Sequence, residues 1–60
     1  MHLKLVFHYK NGVIEMTEDE NWEGPIPRIK EEILVDEKHR GMVFSVIHLI
    51  SKKEVIIKIR

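Results

Sequence analysis

The chain contains no cysteine, which excludes a disulfide framework and a thiolate zinc site. It also lacks any apolar run near the roughly 20 residues that a membrane-spanning helix needs. The first ten residues, MHLKLVFHYK, hold no continuous apolar segment followed by a small-residue cleavage site, so they do not resemble a signal peptide. We therefore expect a cytoplasmic protein that does not act at a membrane.

The chain has 60 residues, of which 43% are hydrophobic, and this length allows one domain at most. At this size the gain from apolar burial and the loss of chain entropy nearly cancel. A stable fold thus requires either very good packing or help from a partner.

The formal net charge is zero, but the charges are unevenly distributed along the chain. Residues 15–37 carry nine acidic and two basic side chains, a net charge of −7. Residues 38–60 carry six basic side chains and one acidic side chain, a net charge of +5. This asymmetry is compatible with a partner face, but we favour the simpler interpretation that acidic loops lie beside basic strands in a small fold.

The last twenty residues, 41–60, predict a long β-hairpin around which the rest of the chain is organised. Two runs rich in β-branched residues, 42–50 and 55–59, flank the polar break Ser51-Lys52-Lys53-Glu54. Because neither lysine suits the positive φ of a two-residue turn, we expect a four-residue loop that closes on Ile50 and Val55. One face of this hairpin is then formed by Phe44, Val46, His48, Ile50, Val55, Ile57 and Ile59. The other face is formed by Val43, Ser45, Ile47, Leu49, Ile56, Lys58 and Arg60.

A second hairpin is predicted at the N-terminus. Residues 2–10 alternate, with Leu3, Leu5, Phe7 and Tyr9 on the face that is expected to be buried. The Asn11-Gly12 pair predicts a type I′ turn, after which residues 13–17 return as a strand. The single tryptophan, Trp22, follows in an acidic loop beside Pro25, and we interpret it as a lid on an open end of the core.

Residues 27–39 are ambiguous. Ile26, Ile29 and Ile33 have helical spacing, and Pro27 and Gly41 suit the two ends of a helix. The apolar triplet 33–35, followed by a polar turn, instead favours a strand over about 31–35. We adopt the strand, which gives an all-β protein, a small, partly open barrel of five strands. The alternative is an α+β fold of ββαββ order with a helix over residues 27–39.

This order of strands and turns resembles the small SH3-like barrels, and also short uncharacterised proteins of prophages and mobile elements. The resemblance covers a little over half of the chain and is carried by Pro27, Glu31, Glu32, Ile33, Val35, Gly41, Val43, Val46, His48, Val55, Ile57 and Ile59. Such barrels often have glycine before the acidic residue, where this chain has Lys30. The resemblance implies a binding or structural accessory role.

No residue pattern predicts an enzyme, a cofactor or a metal site. The four histidines lack metal-binding spacing, and His2 and His8 lie roughly 20 Å apart along an extended strand. The acidic pairs lie in polar runs, where nothing separates their pKa values, so we expect solvated side chains. A chain of this length also has little room for a pocket of several hundred Å³, so we expect no small-molecule substrate.

Two kinds of binding are predicted. The first is protein–protein contact or self-association, with a homodimer expected, through an apolar patch formed by Val43, Ile47, Leu49 and Ile56. The second is nucleic-acid binding through a basic strip formed by Lys4, His8, Lys10, Lys58 and Arg60, provided that the first and last strands are neighbours. The near-neutral pI argues against strong phosphate binding, and Phe7 and Tyr9 point away from the strip.

Overall fold

The protein is all-β, as predicted, and folds into one curled, partly open sheet of five strands. The computed structural model describes residues 1–60. Its elements are β1 (His2–His8), β2 (Ile14–Asp19), β3 (Glu32–Leu34), β4 (Arg40–Leu49), a 3₁₀ helix (Ile50–Lys52) and β5 (Glu54–Ile59). Residues 27–39 contain no helix, so the ββαββ alternative is wrong. No helical segment has the length and apolar character needed to cross a bilayer.

The order of strands in the sheet is β2-β1-β5-β4-β3. The first and last strands are therefore neighbours, and they run parallel, whereas the other three pairs are antiparallel. All the buried residues of the strands belong to β1, β5 and β4, the three strands in the interior of the sheet. The exposed strand β2 and the three-residue strand β3 form its two edges, as expected where polar strands protect an edge.

The core lies on one side of the sheet, which we call the inner face. Six buried hydrophobic side chains form it: Leu3, Phe7, Val43, Val55, Ile57 and Ile59. Around them pack the half-buried residues Leu5, Tyr9, Trp22, Ile26, Ile33 and Val46. The predicted inner face of β1 and the predicted lid are both confirmed. Trp22 is held in place by two bonds, because its backbone N–H donates to the Met1 carbonyl at 2.9 Å and its Nε1 to the Pro25 carbonyl at 3.2 Å.

A β-bulge in β4 changes the predicted faces. Ser45 pairs with Lys58, but Val43 pairs with Ile59, so Phe44 is an extra residue between them. An extra residue reverses the alternation beyond it, because side chains in a strand alternate with a period of two. Val43 consequently lies in the core and is 1% exposed. The prediction that placed Val43 on an exposed patch and Phe44 on the core face was wrong.

Both hairpin turns differ from prediction in detail. In the first, Tyr9 N–H donates to the Val13 carbonyl and Gly12 N–H to the Tyr9 carbonyl, so the loop has three residues and ends at Gly12 with φ 86°. This is a three-residue loop with a left-handed glycine instead of a type I′ turn. In the second, the four-residue loop comprises residues 50–53 and β4 pairs Leu49 with Glu54. The register differs from prediction by two residues, which preserves the faces of residues 45–49 and 55–59.

Gly41 occupies a point where two backbones approach each other closely. Met42 N–H donates to the Arg60 carbonyl at 2.8 Å, and Arg60 N–H donates to the Met42 carbonyl at 3.0 Å. A Cβ atom at Gly41 would lie 2.6 Å from the Arg60 carbonyl oxygen. Space therefore requires glycine here, where the start of β4 lies against the C-terminal residue of the chain.

Candidate functional site

The outer face of the sheet, opposite the core, carries most of the residues that the sequence singled out. It consists of His2, Lys4, Val6 and His8 from β1, Ile14, Met16 and Glu18 from β2, Glu54, Ile56 and Lys58 from β5, and Ser45, Ile47 and Leu49 from β4. Most of these side chains are half-buried, those of β2 and Ile47 are exposed, and Glu54 is buried.

Three of the four residues of the predicted apolar patch lie together on the outer face. Ile47 pairs directly with Ile56, and Leu49 lies at the next outer-face position of β4. Ile47 is 37% exposed, whereas Leu49 and Ile56 are half-buried. The patch is smaller than predicted because Val43 belongs to the core. We call Ile47, Leu49 and Ile56 the apolar patch from here on.

The structure exposes further apolar side chains that the sequence did not assign to a surface. On β2, Ile14 and Met16 are 60% and 58% exposed. In total, ten large hydrophobic side chains are exposed and six hydrophobic side chains are buried.

Four of the five residues of the predicted basic strip share the outer face, namely Lys4, His8, Lys58 and Arg60. Lys10 lies beyond the end of β1, in the turn. The strip is partly neutralised, because Lys4 Nζ lies 2.7 Å from Glu54 Oε1 and 3.9 Å from Glu18 Oε1. The contact with Glu54 raises the pKa of Lys4, and the same contact lowers the pKa of Glu54. Sequence reasoning missed this pairing because Glu54 is 50 positions away in the chain.

The bulge adds an aromatic ring to the basic strip. The Phe44 ring lies 5.3 Å from the His8 ring, edge to face at 72°. The Arg60 guanidinium carbon lies 4.9 Å from the centroid of Phe44, within the range of a cation–π contact. The sequence predicted no aromatic residue within the strip, and regular alternation gave no reason to expect this one.

A polar cluster joins the β3–β4 turn to strand β2 across the open side of the sheet. His39 Nε2 lies 2.6 Å from Glu15 Oε2, and His39 Nδ1 lies 2.9 Å from each carboxylate oxygen of Asp36. The Tyr9 hydroxyl donates to the Lys38 carbonyl at 3.2 Å and contacts Glu15 Oε2 at 3.4 Å. His39 is half-buried, with its ring against that of Phe7, so it is not a fully solvated side chain.

The contacts within the cluster shift the pKa values of three groups. The hydrogen bond to Asp36, and then that to Glu15, raises the pKa of His39. The backbone N–H of His39, followed by its ring, lowers the pKa of Asp36 by donating to the carboxylate. Partial desolvation, and then the charge of Glu15, raises the pKa of Tyr9. This arrangement favours a proton on His39 held between two carboxylates.

The cluster does not form a metal centre. No group of three or more His, Asp or Glu side chains in the structure is arranged to hold a metal ion. The chemistry that the cluster supports is instead a charge-assisted link between two distant parts of the chain.

An open groove runs along the inner-face rim of β4. Its volume is about 770 Å³, and its lining includes Pro25, Pro27, Ile29, Val46 and His48. The sequence predicted less room than this. His48 is exposed and contributes to the groove, so it faces the rim of the inner side instead of the closed core.

We compared this chain with known protein families, with curated proteins and with solved structures, and none of the three comparisons found a match.

Proposed function

We propose that this protein is a non-catalytic binding module that acts through protein–protein contact and associates with itself through the apolar patch. The observation that carries the proposal is that Ile47, which is 37% exposed, pairs directly with Ile56 on the outer face, where Ile14 and Met16 of β2 are also exposed. A core of this size supplies only about 3–5 kcal/mol of stability, so burial of outer-face residues in a dimer adds substantially to the folded state.

The geometry of the patch suits a two-fold contact. Ile47 and Ile56 lie directly opposite each other on neighbouring strands, which gives a compact apolar centre. The outer face around them carries both Lys58 and Glu18, so a two-fold operation allows unlike charges to meet at the rim.

The test is sedimentation equilibrium over a dilution series from micromolar to nanomolar concentration. We expect a monomer–dimer equilibrium, and we expect Ile47→Ser to raise the dissociation constant at least tenfold. The matched control is Ile50→Ser, since Ile50 is 84% exposed in the loop after β4 and lies outside the patch. A folded monomer at every concentration would contradict self-association.

The alternative function is binding of single-stranded nucleic acid through the basic strip. It is supported by the Phe44 ring, which lies beside His8 and under Arg60, because proteins that bind single strands combine aromatic rings with basic side chains. Of the basic residues, Lys58 and Arg60 are without an acidic side chain within ion-pair distance, in contrast to Lys4.

The alternative is tested by retention of a fluorescent oligonucleotide at low salt. We expect Phe44→Ala and Lys58→Glu to weaken retention, and Lys52→Glu, in the distant loop, to weaken it less. Absence of retention at low salt would remove this alternative. Lys4 is not substituted in this test, because its loss would leave the buried Glu54 carboxylate without its partner.

A further inference from the structure

Strand β2 presents an unpaired backbone edge to solvent. It is the first strand in the sheet order, and all six of its residues are exposed. Tyr9 N–H donates to the Val13 carbonyl, so the antiparallel alternation directs the backbone groups of Glu15 and Thr17 towards β1. The N–H and C=O groups of the alternate residues, Ile14, Met16 and Glu18, therefore point outwards and are available to an added strand.

The two sides of this edge differ in chemistry. On the outer side, Ile14 and Met16 are apolar and more than half exposed. On the inner side are Glu15 and Asp19, with the exposed Glu20 and Glu23 in the loop that follows. Residues 11–27 contain five acidic side chains and no basic one. The side chains of a strand added here would lie alternately beside the apolar residues of the outer side and the acidic residues of the inner side.

A second copy of the chain does not supply a suitable strand. The basic strands β1 and β5 are both interior, with both of their edges already paired. The only other free edge is β3, which begins at Glu32 directly after Glu31. Edge-to-edge contact between copies would thus bring acidic strands together, and like charges opposite each other are destabilising in a sheet.

We infer that the free edge of β2 receives an extended segment of another protein in which apolar residues alternate with lysine or arginine. Backbone hydrogen bonds to Ile14, Met16 and Glu18 hold the segment, its apolar side chains lie beside Ile14 and Met16, and its basic side chains lie beside Glu15 and Asp19. The inference rests on the proposed protein-binding role and assigns it a partner class and a surface separate from the apolar patch.

The probe is a short capped peptide in which valine alternates with lysine, titrated into the isotopically labelled protein and followed by backbone amide shifts. Its twin, the control peptide, carries glutamate in place of every lysine. We expect the lysine peptide to perturb the amides of residues 13–19 most strongly and to bind at least tenfold more tightly than its twin. Added salt should weaken the lysine peptide, because part of the attraction is ionic.

Two proline variants separate edge pairing from general attraction to an acidic surface. Met16→Pro removes an outward N–H while leaving the bonds between β1 and β2 in place, since proline is tolerated at the free side of an edge strand. We expect it to reduce affinity for the lysine peptide at least tenfold. Leu34→Pro makes the same change at the β3 edge, where Leu34 is 72% exposed, and should leave affinity unchanged. Thermal unfolding of each variant establishes that it is folded.

Equal binding of both peptides, or unchanged affinity in Met16→Pro, would overturn the inference. If Met16→Pro does not fold, Thr17→Lys replaces it. This change adds a positive charge among the acidic residues of the inner side and should weaken binding of the lysine peptide at least fivefold. An unchanged affinity would again overturn the inference.

Sedimentation of the same samples keeps the two proposals distinguishable, because loss of dimerisation concerns the apolar patch and loss of peptide binding concerns the β2 edge.

Discussion

Two lysine residues adopt a backbone conformation that ordinarily favours glycine. Lys30 has φ 76° and Lys53 has φ 51°, both in the left-handed region. Lys30 lies in the turn before β3, directly before Glu31, and its positive φ is a conformation that glycine adopts at less cost.

We expect Lys53→Gly to stabilise the protein by about 0.5–1 kcal/mol. A non-glycine residue in the left-handed region costs about 1–2 kcal/mol, and the greater freedom of glycine in the unfolded chain offsets part of that gain. The matched control is Lys52→Gly, which lies in the 3₁₀ helix without a positive φ and should destabilise. Urea unfolding measures both, and a loss of stability in Lys53→Gly as large as that in the control would contradict the expectation.

Among the elements, β4 has the strongest influence on the fold. Its bulge at Phe44 allows one continuous strand to bury Val43 on the inner face and to place Phe44 on the outer face. The bulge thus gives the core Val43, which lies opposite Ile59 near the end of β5. It also gives the basic strip the ring of Phe44.

The reversal of alternation in β4 predicts a clear order of mutational cost. Val43→Ala should lower the free energy of unfolding by about 2 kcal/mol, because a fully buried side chain loses its burial and leaves a cavity. Ile47→Ala removes more atoms but should cost less than about 1 kcal/mol in the monomer, since Ile47 is 37% exposed. Equilibrium unfolding below the dissociation concentration of any dimer tests this. An equal or reversed order would argue against the bulge.

At the scale of the whole molecule, the curled sheet is held at its open side by side chains. The edge strand β2 and the β3–β4 turn share no backbone ladder, and the bond from His39 Nε2 to Glu15 joins them. The same histidine is anchored to its own turn by Asp36. Protonation of the His39 imidazole therefore strengthens this link, beside the bond from the Tyr9 hydroxyl to the Lys38 carbonyl.

This dependence predicts that stability falls as the pH rises above neutrality. The pKa of His39 is raised above its ordinary 6.5, so its contribution is fully present below pH 6.5 and is lost as the pH rises through the folded value. The pKa of Asp36 is lowered below its ordinary 3.8, so its contribution is present above pH 3.8 and is lost as the pH falls through the folded value. Both contributions are therefore present together between pH 3.8 and 6.5.

Urea unfolding at a series of pH values checks this expectation. The wild type should lose stability between mildly acidic and mildly alkaline pH, and His39→Gln should remove most of that dependence. His48→Gln should retain it, because His48 is exposed and lies outside the cluster. A wild-type profile that is flat over this range, or one that is unchanged in His39→Gln, would contradict the role of the cluster in closure.

The sequence by itself determined the strand content, the inner face of β1 and the doubly apolar character of the C-terminal hairpin. These follow from local rules, since alternation with a period of two and β-branched composition are properties of short segments. The strand at residues 32–34 was also accessible in this way, although the same segment allowed a helix.

The tertiary structure alone decided which residues meet across the sheet. The bulge at Phe44 lies close to Gly41, where the Arg60 carbonyl approaches the chain, and no pattern within β4 specifies it. The pairing of Lys4 with Glu54 and of Glu15 with His39 joins residues far apart in the chain. Such contacts arise only when parallel pairing of β1 with β5 and curling of the sheet bring distant side chains within bonding distance, which is a property of the assembled fold and not of any single segment.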